Sequence, residues 1–331
     1  MKGPLRERPR RDILGLDFGA SGLKAVRLTS ARGQLSLAAA DILPPVNLSA
    51  PGDRPRLELP PPLLTNYAAV CLGGARAAVR LLDLPAAGGK VEEQIQQQFN
   101  LAGDFRLGHC PVTPPEMKGT IRTVAAALPE DEAQAVLQRL TVGPPAPASL
   151  ELSSLAALGA FQAGPGDGVQ EDAVGLIDTG VSASHLFILR LGRPVLIRRI
   201  EPGGAAVIER IREQFDLDAA MAENVLRTGA IDLSAVYRET LAAFFKQLTM
   251  SREFVERREH CRIIRWYLTG GLCVNAFWPQ TLAEVTGLPA SVWDPLQGIS
   301  VAAEAIPDRI RNQTCRLSAA IGAALGAILP T

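Results

Sequence analysis

The sequence predicts an α/β protein made of two similar lobes, with a small α+β module carried between them. Three observations lead there. The chain repeats itself: moved by 161 positions, "ILGLDFGASGLKAVRL" (13–28) lies over "VGLIDTGVSASHLFIL" (174–189), with Asp17 over Asp178, Gly19 over Gly180 and Ser21 over Ser182. A spacing that long is not a solenoid period of roughly 20–50 residues, so the repeat marks duplicated domains with a ligand cleft between them. Apolar runs that end in turn residues alternate with stretches of helical spacing, and Pro- and Gly-rich breaks divide the chain.

At 331 residues and 47% apolar content the chain can bury substantial cores, and 331 residues suit two domains better than one. The formal net charge is zero, which speaks against a nucleic-acid partner. The five cysteines (Cys71, Cys110, Cys261, Cys273, Cys315) have no zinc-like spacing and read as reduced cytosolic thiols. "MKGPLRERPRR" has no apolar core of a signal peptide and is expected to be a basic disordered tail over 1–12. "LSAAIGAALGAIL" (317–329) is too short for a membrane span of about 20 residues and is expected to be a buried helix.

Taken in order, 13–28 reads as a strand hairpin, and the Pro-rich tract 43–63 as a connection. "YAAVCLGGARAAVRLLDLP" (67–85) reads as two strands around Gly73-Gly74, and "KVEEQIQQQFNLA" and "PEDEAQAVLQRL" as helices. "GPPAPA" (143–148) cannot continue a central strand, "LSSLAALGAF" (152–161) is an Ala-rich helix, and "AGPGDGVQED" (163–172) marks a boundary. The second hairpin follows, then helices "GGAAVIERIREQF" and "DAAMAENVLRTG" and one long helix over 233–260. "RIIRWYLTGGLCVNAFWPQTL" runs from strand through Gly270-Gly271 into helix.

An aspartate that interrupts an apolar strand just before a Gly-containing hairpin turn suits phosphate chemistry. The turn offers backbone N–H groups to an anion, and the carboxylate sits where a magnesium ion or its waters need an oxygen. A single such hairpin is usually only a turn, but two in register point to a polyphosphate gripped from both sides. Gly203-Gly204 directly before a helix predict a further anion site, and Gly270-Gly271 allow close approach of a flat ring.

The order of these motifs resembles the actin, Hsp70 and sugar-kinase superfamily, and within it the type IV pilus PilM family, relatives of FtsA. "LGLDFGASGLKAVRL", "VCLGGARAAVRLLDLP", "RTVAAALPEDEAQAVLQRL", "AENVLR", "YLTGGLCVNAFWPQTLAEVTGLPASVWDPLQGI" and "RLSAAIGAALG" carry the likeness. The resemblance implies two actin-like (ribonuclease H-like) lobes, 13–80 with 149–170 and 171–331, the latter with a helical subdomain at about 205–258. It also implies an FtsA-like insert over 81–148. Asp17, Gly19, Ser21, Lys24, Asp178, Gly180, Ser182, Gly203 and Gly204 would surround the phosphates of ATP, with Asp17 and Asp178 serving Mg²⁺. Glu223, Gly270 and Gly271 would lie around the nucleoside. "AENVLR" departs from the family by placing Leu226 where a lysine is expected.

The implied function is a cytoplasmic ATP-binding adaptor at the inner face of the inner membrane. It would hold the N-terminal cytoplasmic peptide of a PilN-like membrane protein in a groove between the first lobe and the insert. Membrane contact would be indirect, self-association is open, and any turnover would be at most that of a weak ATPase. An FtsA-like cytoskeletal protein or a scaffold that has lost its nucleotide are alternatives. A small-molecule kinase needs a positioned carboxylate base that the sequence does not supply beyond Asp17 and Asp178.

Overall fold

The computed structural model describes residues 10–48, 56–85, 91–112, 119–140, 143–164 and 173–328. Most of the expected basic tail, and much of the breaks at 43–63 and 163–172, lie outside the described residues. The chain forms two compact units, one of Met1–Gly73, Gln134–Pro165 and Pro295–Thr331, the other of Gly74–Ala133 and Gly166–Asp294.

In the first unit, β1 (Asp12–Gly19), β2 (Gly22–Ala31) and β3 (Gln34–Leu43) form an antiparallel meander. β4 (Tyr67–Leu72) joins β1 in parallel, and an edge strand, β8 (Ala146–Leu152), joins β4. Two-residue β14 (Ser300–Val301) closes the other edge on β3. The "GPPAPA" tract thus enters a strand at Ala146, which is tolerated because β8 is an edge strand whose register shifts at Ala68/Ala69.

Between β4 and β8 the chain leaves to form β5 (Ala78–Pro85), α1 (Val91–Phe99), β6 (Phe105–Pro111), β7 (Thr120–Pro129) and α2 (Glu130–Leu137). Strands β5, β7 and β6 make a three-stranded antiparallel sheet. Helix α1 lays Ile95 and Phe99 on Leu84, Ala125 and Ala127.

Helices α3 (Ser153–Ala163) and α9 (Ser318–Ile328) cover the first sheet. Almost every residue of α9 is buried, as its uniformly apolar sequence requires. Its small residues permit close backbone approach: a Cβ on Gly322 would lie 1.8 Å from the Ala156 carbonyl oxygen, and one on Gly15 would lie 1.9 Å from that of Ala320. Among the described residues no helix is long and apolar enough to cross a membrane.

The second unit contains β9 (Ala173–Thr179), β10 (Ser184–Arg190), β11 (Arg193–Ile200), β12 (Trp266–Gly270) and β13 (Ala290–Val292). Their order, β11-β10-β9-β12-β13, has two antiparallel pairings followed by two parallel ones, the same pattern as β3-β2-β1-β4-β8. The sequence repeat is therefore a repeat of fold. Helices α4 (Gly204–Phe215), α5 (Ala219–Thr228), α6 (Ser234–Thr240), α7 (Ala242–Glu259) and α8 (Phe277–Thr286) complete the unit.

Two expectations differ from the structure. The single helix over 233–260 is two, broken at Leu241 (φ −100°, ψ 18°), where the bend brings Tyr237 of α6 and Phe244 and Phe245 of α7 around buried Trp278. The segment from Pro295 onward, expected to close the second lobe at 331, lies in the first compact unit, because α9 packs on α3, β1 and β4. An apolar helix of small residues carries no sequence signal that selects one sheet over its duplicate.

Candidate functional site

Asp17 sits at the end of β1, directly across from Lys24 on β2 and beside Cys71 on β4. Its Oδ2 is 3.5 Å from Lys24 Nζ, and both residues are buried. The hydroxyl of Ser153, at the first turn of α3, donates to Asp17 Oδ1 at 2.6 Å, and the Cys71 thiol faces the same oxygen at 3.9 Å. Burial and the Asp17 charge hold the Cys71 thiol well above its ordinary value, so it stays protonated and donates. Lys24 is therefore not the solvated strand lysine that its position most often yields; its Nζ reaches back 3.3 Å to Ser21 Oγ at the turn. A Cβ on Gly19 would come 2.4 Å from Lys24 Nζ, so a side chain there would displace the ammonium. Gly22 follows at φ +131°, which only glycine adopts without strain.

In the second hairpin, Asp178 pairs across the ladder with His185 and Thr269. The repeat thus puts a histidine where the first hairpin has Lys24. Burial, and then the Arg199 charge, push His185 down to about 4, so its ring is neutral near pH 7. The two hairpins share a backbone but not a charge pattern. The β9–β10 turn is closed by Gly180 N–H donating to Ala183 O at 3.1 Å, with Ser182 exposed at its tip.

Gly203 and Gly204 open α4, as the sequence predicts, but their N–H groups are already used. Gly203 N–H donates to Ser182 O, Gly204 N–H to Gly180 O and Ala205 N–H to Val181 O, at 2.9–3.0 Å. The expectation that these donors stand open to an anion is corrected: the helix start is capped by the turn, because three turn carbonyls face three orphan N–H groups. A Cβ on Gly203 would lie 2.5–2.6 Å from the turn backbone, so the glycine is what lets helix and turn meet.

Gly270 has φ +91°, and a Cβ there would fall 2.5 Å from Thr179 O and 2.9 Å from Asp178 Oδ1. Gly270 thus lies against the Asp178 carboxylate, while a Cβ on Gly271 would meet only the Thr179 carbonyl oxygen, at 3.7 Å. Glu223 lies on the exposed face of α5, while Leu226 is 6% exposed and points inward. The Leu226 carbonyl accepts from buried Asn275 Nδ2 at 2.7 Å, which ties α5 to the helical turn Gly271–Val274. Arg227, the nearest cation in sequence, is exposed and bonds Asn224.

A magnesium nucleotide fits the first hairpin in part. The Gly19–Gly22 turn exposes Ala20 and Ser21 and has the Lys24 cation at its base, which suits phosphate. Asp17, by contrast, already receives Ser153, Cys71 and Lys24. Its carboxylate suits the waters of a magnesium ion better than direct ligation. Among the described residues there is no cluster of three or more His, Cys, Asp or Glu positioned to hold a metal by themselves.

Ser153 and Arg316 were missed by sequence reading. Arg316, in the last turn of the helical segment Asp308–Leu317, donates from one Nη to Ser21 O (3.1 Å) and Ser21 Oγ (3.2 Å). Neither carries a local signal, since their partners lie 136 and 295 positions away.

A separate open cavity of about 690 Å³ lies in the first unit. Its lining includes Asn66, Tyr67, Leu137, Leu140, Pro144 and Pro147. Tyr67 is 43% exposed, with the Arg10 guanidinium over its ring at 4.9 Å.

Among known proteins, the family model described as type IV pilus assembly protein PilM matches residues 154–328. No curated protein sequence matches. The solved structure of a PilM–PilN type IV pilus biogenesis complex aligns over 97% of this chain and 100% of that one, at 21% identity and a TM-score of 0.74, which establishes the shared fold. The ethanolamine utilization protein EutJ from Carboxydothermus hydrogenoformans aligns over 96% of this chain and 90% of its own, at 11% identity and TM-score 0.45. The activator of 2-hydroxyisocaproyl-CoA dehydratase from Clostridium difficile, solved with bound ADPNP, aligns over 96% and 94%, at 12% identity and TM-score 0.43. Likeness at those two scores is too slight to bear on function. The family model spans more than half of the 331 residues, and the chain belongs to the type IV pilus assembly protein PilM family.

Proposed function

We propose that this protein is an ATP-binding adaptor of a type IV pilus assembly platform, and that it holds the N-terminal cytoplasmic peptide of a PilN-like inner-membrane protein. Membership of the PilM family is the observation that carries this reading. The cavity beside Tyr67 supports it: a largely apolar trough, one of whose walls is the Tyr67 ring that carries the Arg10 guanidinium, suits a short extended peptide with apolar anchors. Leu137 and Leu140 come from the end of the expected insert and Asn66 and Tyr67 from the expected first lobe, as a groove between the two requires. Work at the inner face of the inner membrane follows from such a partner.

In this reading the β1–β2 turn, with Asp17, Gly19, Ser21 and Lys24, binds phosphate oxygens of ATP. Asp17 and Asp178 order the waters of Mg²⁺. Gly180 and Ser182 form the second phosphate turn, and Gly203 and Gly204 brace it. Glu223, Gly270 and Gly271 flank the nucleoside. The test has two arms on the full chain. A PilN-like N-terminal peptide should be retained by the wild type and lost with Tyr67→Ala and Leu137→Ser; equal retention by all three removes the groove. Mg-ATP should raise the melting temperature of the wild type and not of Asp17→Asn. No shift in the wild type leaves a nucleotide-free scaffold.

A further inference from the structure

The geometry points to Arg316 as a second phosphate-binding cation at the β1–β2 turn, one that makes affinity rise with the number of phosphates presented. This rests on the reading that the turn binds a nucleotide.

Arg316 and Lys24 converge on one exposed hydroxyl. Arg316 Nη2 is 3.2 Å and Lys24 Nζ 3.3 Å from Ser21 Oγ. Lys24 is balanced by Asp17 immediately behind it. Arg316 brings its charge to the tip of the turn, where Ala20 and Ser21 are exposed.

The guanidinium is held there by a relay. Arg309 Nη2 bonds both Asp41 oxygens at 2.5 and 2.6 Å, anchoring the Asp308–Leu317 segment to β3. Buried Gln313 donates from Nε2 to the Arg309 carbonyl at 2.9 Å and accepts from Arg316 Nη1 at 2.5 Å. Gln313 itself departs from helical backbone (φ −122°, ψ 17°), which kinks the segment just before Arg316. One arm of the fork is thus fixed to Gln313, and the other is aimed at Ser21. An arginine fixed in this way loses little side-chain entropy on meeting an anion, and its fork matches phosphate oxygens. Its bonds to Ser21 are to neutral oxygens, which a charged phosphate oxygen outcompetes.

The experiment is calorimetric titration of the full chain with ATP, ADP, AMP and adenosine in excess Mg²⁺. Arg316→Ala should weaken ATP on the order of tenfold or more, ADP less, and adenosine not at all. Arg316→Lys should keep part of the loss from appearing, and Gln313→Leu, which frees the fork without removing it, should fall between. The inference is overturned if Arg316→Ala binds ATP as the wild type does while Asp17→Asn does not. It is equally overturned if Arg316→Ala weakens adenosine as much as ATP, the result of a purely structural arginine. A wild type that binds none of the four overturns the nucleotide reading of the turn and this inference with it.

Discussion

Asp17 Oδ2 and Lys24 Nζ lie 3.5 Å apart on neighbouring strands, each side chain only 9% exposed. The pair neutralises the base of the β1–β2 turn. Removing the carboxylate in Asp17→Ala strands a buried ammonium and should cost about 3–5 kcal/mol. Asp17→Ala with Lys24→Met should recover much of that, because both charges then leave together. Urea denaturation of the two variants measures the difference, and equal losses would mean the pair is not coupled.

Leu226 predicts its own substitution. The side chain is 6% exposed and its carbonyl holds Asn275, so Leu226→Lys buries an ammonium without a partner in the helix–turn contact. The melting temperature should fall, by the equivalent of about 2 kcal/mol or more, rather than the chain acquiring a lysine that reaches solvent. A melting curve unchanged from wild type would contradict the inward placement.

Glu151 and His185 give stability opposite dependences on pH. Burial pushes Glu151 up to about 7 from an ordinary 4.5, so its proton is held by the fold and released on unfolding. Its contribution is full below pH 4.5, falls as pH rises to about 7, and is flat beyond. Glu151→Gln should therefore gain stability relative to wild type across that interval, by about 3 kcal/mol in all.

His185, pushed down to about 4 from 6.5, must charge at a cost: its contribution is full above pH 6.5 and is lost as pH falls toward 4. His185→Phe should become progressively more stable than wild type over that descent. Denaturation midpoints of variant and wild type, taken at half-unit pH steps, check both signs.

Gly322 lies where α9 crosses α3, with a Cβ position 1.8 Å from the Ala156 carbonyl oxygen. The Ala156 oxygen and the Gly322 Cα that would carry the Cβ both belong to helix backbone, so neither can move alone. Gly322→Ala should destabilise by about 1–3 kcal/mol or more despite alanine being the better helix former. Gly159→Ala, on α3 with open space around it, should be neutral or stabilising by calorimetry.

Much of the architecture was legible because it is local. The two hairpins, the strand pair around Gly73-Gly74 and the helix starts at Glu130 and Gly204 follow from apolar periodicity broken by turn residues. The duplication was visible as aligned Asp, Gly and Ser, and the sheets bear it out in their matching strand order. The break at Leu241 was not visible, since α6 and α7 share one helical pattern and only the packing of Tyr237, Phe244 and Phe245 on Trp278 bends them.

By itself, then, the sequence determined the repeated strand-Asp-Gly hairpins, the residue types they present and the family to which the chain belongs. Tertiary structure decided what those residues meet. It gave Lys24 and Ser153 to Asp17, spent the first N–H groups of α4 on the Gly180–Ser182 carbonyls, turned Leu226 inward and brought Arg316 to Ser21. The reason is physical: periodicity and turn chemistry are written within about ten residues, whereas these partners are chosen by how sheets and helices far apart in the chain close on one another.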